Sequence, residues 1–145
     1  MLTDDYYMRA ALREAARAFE DDEVPIGAVV ACGGQIIGKG HNQTERLQDP
    51  TAHAEMIAIT AACNFMGSKY LPECELYVTV EPCVMCAGAS RWAQVSRIIV
   101  GAPEPKTGFS RLGNGIIHPK TLITTGILEE ECVALMQEFF RKKRK

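Results

Sequence analysis

Apolar residues recur with two different spacings along the chain, and the two spacings alternate. From residue 4 to 20 they return every three or four positions, which predicts an amphipathic helix. Residues 26–31 are almost continuously apolar and predict a buried strand. The Gly33-Gly34 pair predicts a tight turn into a second strand from residue 35. The chain is therefore predicted to open with a helix and a β-hairpin.

Turn and capping signals divide the rest of the chain. Asp49-Pro50-Thr51 is a turn sequence that offers Thr51 as the N-cap of a second helix, from residue 52 or 53 to about residue 66. Residues 101–120 are rich in Gly and Pro, lack periodicity and are predicted to form a long functional loop. The other predicted elements are strands at 76–80, 97–100 and 121–125 and helices at 83–92 and 128 to about 143.

This order of helices and strands predicts an α/β fold with three layers, in which helices cover a mixed sheet. The chain has 145 residues and 47% hydrophobic composition, which suits a single domain over residues 1–145. The first thirty residues do not resemble a signal peptide, and no apolar stretch approaches the roughly 20 residues that span a bilayer. We therefore expect a soluble cytoplasmic protein that has no membrane partner.

The charge is unevenly distributed along the chain. The net charge is −2, yet five of the sixteen basic residues occupy positions 141–145, so the rest of the chain is acidic. A basic terminus allows an anionic partner without requiring one, and it could equally be a solvated end that favours solubility.

Two of the six cysteines have the spacing of metal ligands. Cys83 and Cys86 are separated by two residues at a predicted helix start, so their thiolates can bind one ion. His53, at the start of another predicted helix, would be a third ligand, and three protein ligands leave a position for water, as in catalytic zinc sites. Four cysteines have apolar neighbours and are interpreted as small core residues: Cys32, Cys63, Cys74 and Cys132.

Glu55 follows His53 by two residues, so the two side chains point in different directions on a helix. It can border the metal without binding it. His-x-Glu followed by Pro-Cys-x-x-Cys is the signature of zinc-dependent nucleobase deaminases. In that chemistry zinc makes water acidic enough to act as hydroxide near neutral pH. Glu55 would accept a proton from that water and pass it to a ring nitrogen, and after hydroxide attack it would protonate the departing amine, which leaves as ammonia.

The chain resembles the bacterial tRNA-specific adenosine deaminases, within the cytidine deaminase superfamily, well beyond this signature. The matching segments are residues 23–29, 40–42, 49–55, 76–89 and 126–132. The resemblance implies a cytidine-deaminase-like fold with a five-stranded sheet, one Zn²⁺ per chain and a homodimer. It also implies conversion of the wobble adenosine of an arginine tRNA anticodon to inosine.

The same resemblance assigns substrate contacts. Val24, Asn42 and Ala54 are expected near the flipped base. RNA contacts are expected from the loop at 101–120 and from the end of the last helix, and the candidates are Glu104, Lys106, Phe140 and Arg141. At Glu104 we would expect the shorter Asp from the family.

Three alternatives are consistent with the same residues. The chain could deaminate a free base or nucleoside such as guanine or cytosine, since those enzymes share the zinc motif. It could be a zinc-stabilised RNA-binding module, which would not need Glu55. Cys83 and Cys86 could instead form a redox pair, which zinc analysis of the purified protein would exclude.

Overall fold

The computed structural model describes residues 2–144, without the side chain of Asn114, so Lys145 of the basic terminus lies outside the described residues. The helices are α1 (Asp4–Glu20), α2 (Thr44–Leu47), α3 (Ala54–Met66), α4 (Val84–Ala93) and α5 (Glu129–Lys143). The strands are β1 (Gly27–Cys32), β2 (Gln35–His41), β3 (Cys74–Val80), β4 (Arg97–Ala102) and β5 (Leu122–Thr125). Two 3₁₀ turns, Phe109–Leu112 and Asn114–Ile116, lie in the loop between β4 and β5.

The strands form one mixed sheet in the order β2-β1-β3-β4-β5. β1 is antiparallel to both β2 and β3, whereas β3, β4 and β5 are parallel to one another. The hairpin between β1 and β2 turns at Gly33-Gly34, where both glycines have positive φ. The predicted α/β fold with a mixed five-stranded sheet is confirmed.

Two apolar clusters cover the two faces of the sheet. On one face, small residues of α3 and α4 such as Ala58 and Ala87 pack against Val30 and Leu76. On the other face, α1 and α5 pack Met8 and Cys132 against residues such as Tyr77. The three predicted layers are therefore present, and the inner strands β1 and β4 are nearly continuous in buried residues, as expected of strands covered on both faces.

Helix α3 lies unusually close to the edge strand β2. A Cβ added at Gly40 would lie 2.3 Å from the Ala54 carbonyl oxygen, and one added at Gly38 would lie 2.4 Å from the Ala58 carbonyl oxygen. Only glycine has room at both positions. The first turn of α3, which carries Glu55, is therefore positioned by direct contact with the backbone of β2.

The predicted cap of α3 is wrong. The N-cap is His53, whereas the Thr51 hydroxyl donates to the Asp49 carboxylate at 2.7 Å. Asp49 also accepts the Thr51 N–H at 2.8 Å, so the turn uses Thr51 within itself and leaves no hydroxyl for the helix. The chain enters α3 two residues later than a Thr51 cap would require.

Candidate active site

Three potential ligand atoms meet where α3 and α4 begin. The Nδ1 atom of His53 lies 3.7 Å from Sγ of Cys83 and 3.6 Å from Sγ of Cys86, and all three atoms lie within 4.8 Å of one another. One nitrogen and two sulfurs at usual distances from a tetrahedral zinc ion would be separated by about 3.6 Å along each N···S edge. The donor set and its spacing therefore fit one zinc ion.

Helix starts place these three ligands. His53 and Cys83 are the N-caps of α3 and α4, both with extended backbone, and Cys86 lies in the first turn of α4. Neither cap uses its side chain to accept a helix N–H, so the imidazole and the thiol remain available. Within residues 2–144, no fourth His, Cys, Asp or Glu joins the group. A tetrahedral ion held here would keep one position for water.

The site favours the deprotonated form of at least one thiol. A hydrogen bond donated by the Cys86 thiol, and a weaker one donated by the His53 ring, lower the pKa of Cys83 to about 3, although partial burial opposes this shift. The pKa of His53 is raised, chiefly by its hydrogen bond to Cys83 and in smaller part by one to the Pro50 carbonyl. That carbonyl contact is of the type that orients a metal-binding imidazole through its other ring nitrogen.

Glu55 is buried beside this group, with 3% of its surface exposed. Burial raises the pKa of its carboxyl to about 7, and Cys83 and Cys86 are close enough to act on it. A buried carboxyl that does not belong to the ligand group needs another reason to be here. Proton transfer at the metal is a task that suits such a group.

The residues expected around the base lie next to the ligands. The Asn42 side-chain oxygen accepts the Ala54 N–H at 2.9 Å, which joins the end of β2 to the first turn of α3. Asn42 is 7% exposed, and its amide nitrogen makes no hydrogen bond among residues 2–144. Val24 is half-buried and follows Glu23, whose carboxylate accepts the N–H groups of residues 45 and 46. Asn42 and Ala54 thus occupy the same small region as His53.

The residues expected to contact RNA share a second feature, a groove of about 740 Å³ between the loop after β4 and helix α5. Glu104 and Lys106 line one side, and Phe140 and Arg141 line the other. Phe140 is 42% exposed, while the Arg141 guanidinium is held by Glu138 one turn earlier. We call this groove, between the loop after β4 and helix α5, the loop–helix groove.

Glu81 connects the groove to the ligands and was not predicted. Its carboxylate accepts the N–H groups of Glu104 at 3.3 Å and Ser110 at 2.9 Å, and Cys83 forms a β-bridge with Gly108. Glu81 stands two residues before Cys83, so the same short segment holds a ligand and anchors the loop. A glutamate beside a ligand motif gave no indication of this role, because its partners are backbone groups more than twenty residues away.

A buried histidine–glutamate pair was also missed. His41 and Glu14 are 7% and 6% exposed, and Nδ1 of His41 lies 3.3 Å from the Glu14 carboxylate. The Nε2 atom has no hydrogen-bond partner within the described part of the chain. The pair joins α1 to the end of β2, one residue before Asn42.

The described residues contain no helix with the length and apolar character needed to cross a membrane.

Known proteins share both the sequence and the fold. The family model of the cytidine and deoxycytidylate deaminase zinc-binding region matches residues 1–102. A tRNA-specific adenosine deaminase of Aquifex aeolicus (strain VF5) is 46% identical over 144 residues, which cover 97% of this chain and 95% of the relative.

Two solved structures extend the comparison to the fold. One belongs to a study of A-to-I editing by tRNA:A34 deaminases at the wobble position of transfer RNA. It matches this chain with a TM-score of 0.84 and 40% sequence identity. The match covers 90% of this chain and 98% of the chain in that structure. A guanine deaminase from Nitrosomonas europaea has a TM-score of 0.82 at 25% identity, over 96% and 85% of the two chains.

Proposed function

Because the chain belongs to the cytidine and deoxycytidylate deaminase family and, within it, to the tRNA-specific adenosine deaminases, we propose that it converts the wobble adenosine of a tRNA anticodon to inosine. The substrate we propose is an arginine tRNA. The observation that carries the proposal is the burial of Glu55 beside a nitrogen–sulfur–sulfur ligand group that fits one zinc ion.

His53, Cys83 and Cys86 are the proposed ligands of the zinc ion. When bound, zinc supplies a Lewis acid that makes water acidic enough to yield hydroxide near neutral pH. Glu55 takes up the water proton on a carboxylate oxygen and delivers it to a ring nitrogen, which makes the adjacent amino-bearing carbon electrophilic. The same carboxylate then takes up the proton of the hydroxyl group added to that carbon and delivers it to the amine, which leaves as ammonia while a carbonyl replaces it.

Asn42, Ala54 and Val24 are proposed to hold the base that has left the stack. The free amide nitrogen of Asn42 can donate to the base, while its oxygen stays on Ala54 and fixes the side-chain orientation. Val24 would contribute apolar contact. A flipped base is read by such hydrogen bonds and by packing on its faces.

The loop–helix groove is proposed to hold nucleotides that flank the base. Phe140 offers an exposed ring for stacking, and Lys106 offers a cation for a phosphate. Glu104 fixes the loop by accepting the Lys106 N–H at 3.0 Å. Arg141 would have to exchange its contact with Glu138 for the RNA, so we expect its contribution to be smaller than that of Lys106.

We further propose that the enzyme is a cytoplasmic homodimer. Val84 and Trp92 stand eight residues apart on α4 and therefore share one face, and they are 48% and 80% exposed. Covering such apolar side chains is a common role of a subunit interface. Light scattering of the wild-type protein should give twice the mass of one chain. The Trp92→Lys variant should give the mass of a single chain. A wild-type monomer at micromolar concentration would disprove the proposed dimer.

Activity on an isolated anticodon stem-loop tests the main proposal. The zinc-loaded protein should release ammonia from an arginine-tRNA stem-loop and leave free guanine and cytidine unchanged. Turnover of guanine without turnover of the stem-loop would support the guanine deaminase alternative, which the Nitrosomonas structure motivates. Mass spectrometry of arginine tRNA from cells depleted of the protein would then show whether wobble inosine is lost.

Glu55→Gln separates an enzyme from a zinc-stabilised RNA-binding module. The variant should keep zinc and stem-loop binding while ammonia release falls by at least about 10²–10⁴-fold, the usual contribution of a positioned acid–base group. Glu73→Gln, at an exposed position before β3, is the matched control. Normal ammonia release from Glu55→Gln would refute the assigned role.

A further inference from the structure

Three cysteines outside the proposed zinc site meet at one end of the sheet. Cys32 ends β1, Cys74 begins β3, and Cys63 lies on α3, which covers this face. All three belong to one apolar cluster, in which Cys74 is buried and the other two are half-buried. The proposed reaction uses none of these thiols.

Cys32 and Cys74 are directly opposite each other in the antiparallel ladder between β1 and β3. Cys74 uses its backbone groups elsewhere, because its N–H donates to the Leu71 carbonyl and its carbonyl accepts the Ser96 N–H. The two cysteines are therefore a non-hydrogen-bonded pair, in which Cα atoms are about 4.5 Å apart and side chains are closest. This separation lies within the range of about 4.4–6.8 Å found in disulfides.

The two side chains also contact each other within the apolar cluster. Burial first, and then a hydrogen bond with the Cys32 thiol, raise the pKa of Cys74 to about 12. Cys32 Sγ also lies 3.7 Å from the Glu73 carbonyl oxygen, at a more exposed position. Cys63 affects Cys74 only through its charge, and burial alone raises the pKa of Cys63. The contacts thus pair Cys32 with Cys74, whereas Cys63 is a neighbour that forms no hydrogen bond with Cys74.

We propose that Cys32 and Cys74 are an oxidisable pair that forms a disulfide by exchange with a small disulfide such as oxidised glutathione. The Cys32 thiolate attacks one sulfur of the small disulfide, whose other half leaves as a thiolate. The Cys74 thiolate then attacks the Cys32 sulfur, and the second small thiolate leaves. The two protein thiols are oxidised, the small disulfide is reduced, and the two protein protons end on the two small thiols.

The bond would close a loop that runs from residue 32 to residue 74 and contains α2, α3 and His53. Closure restricts the unfolded chain far more than a folded chain in which the two residues already face each other. We expect the oxidised protein to melt roughly 5–10 °C above the reduced protein.

Peptide mapping under non-reducing conditions tests the pair directly. Zinc-loaded full-length protein is incubated with oxidised glutathione, its remaining thiols are alkylated, and its intact mass and proteolytic fragments are measured. We expect a species two hydrogens lighter, in which the Cys32 peptide is joined to the Cys74 peptide, and its complete reversal by dithiothreitol.

Two substitutions distinguish this pair from general thiol oxidation. Cys32→Ser should abolish both the cross-link and the rise in melting temperature, whereas Cys63→Ser should keep both. A wild-type cross-link that contains Cys63 would overturn the proposal. So would a stable glutathione adduct at Cys32 without a cross-link, or a Cys32–Cys74 species that melts no higher than the reduced protein.

Discussion

Gly40 lets α3 lie directly on β2, and its replacement by alanine would test how strictly the sheet positions the active site. The added Cβ would lie 2.3 Å from the Ala54 carbonyl oxygen and 2.8 Å from the Ala58 nitrogen. Both atoms belong to the helix backbone, so no change of rotamer relieves the contact. Carbon–oxygen contacts are normally about 3.3 Å or longer, so the first turn of α3 must move outward by about 1 Å.

The displacement should affect stability and catalysis to different extents. Overpacking of this kind costs about 1–3 kcal/mol, which lowers the melting temperature of a protein of this size by roughly 3–10 °C. A shift of about 1 Å at Glu55 and His53 should lower the rate of ammonia release by about 10²-fold. Zinc content, thermal unfolding and the rate on an anticodon stem-loop are the three measurements.

Gly38→Ala is the matched control, because it makes the same contact one turn further along α3. Its Cβ would lie 2.4 Å from the Ala58 carbonyl oxygen and 2.8 Å from the Ala62 nitrogen. It should therefore cost as much stability as Gly40→Ala but less activity. Gly115→Ala, which meets open space, should cost neither. The reasoning fails if Gly40→Ala is neutral, or if Gly38→Ala loses more activity.

Three further predictions concern stability. Glu23→Ala leaves the N–H groups of residues 45 and 46 without their acceptor. The free energy of unfolding, measured with urea, should fall by about 1–3 kcal/mol. An unchanged value would mean that water replaces the carboxylate. Asp4→Asn removes the ion pair between Asp4 and Arg97. A hydrogen bond from Arg97 lowers the pKa of Asp4 in the folded protein below its usual value of 3.8. The pair therefore stabilises the fold fully above pH 3.8, and this stabilisation is lost as the pH falls through the folded pKa. We expect a cost of about 1 kcal/mol at neutral pH that diminishes as the pH falls through the folded pKa of Asp4, and a constant cost would contradict the linkage. Chelation of zinc should lower the melting temperature and expose Cys83 and Cys86 to thiol reagents, and an unchanged melting curve would count against the proposed ligands.

Local periodicity predicted the larger elements well, because the spacing of apolar residues within each short stretch of sequence reflects which positions are buried. The structure has α1 at the predicted bounds, 4–20, and α5 within one residue of its predicted start. β3 begins at Cys74 and β4 ends at Ala102, each two residues beyond the prediction. Both residues pair in the sheet, Cys74 with Cys32 and Ala102 with Val80, so pairing with distant strands extends these elements beyond their apolar runs.

Elements held by distant contacts could not be predicted in this way. Helix α2 has four residues and no buried side chain, so it has no apolar stripe to detect. It is held by the carboxylate of Glu23, about twenty residues earlier in the chain. The loop from 103 to 121 likewise looked irregular, although Glu81 anchors its backbone at two points. The motif located the three proposed ligands, but it did not indicate what supports them.

These supports share one physical pattern, in which a polar side chain at the end of a strand or helix accepts backbone N–H groups from another segment of the chain. Asn42 after β2 holds the first turn of α3, Glu81 after β3 holds the loop, and Glu23 after α1 holds α2. A side-chain acceptor fixes a backbone segment without adding apolar bulk beside the substrate. Loops around an active site that must admit a nucleotide can therefore remain open and still be well positioned, because a few hydrogen bonds from side-chain acceptors hold their backbone.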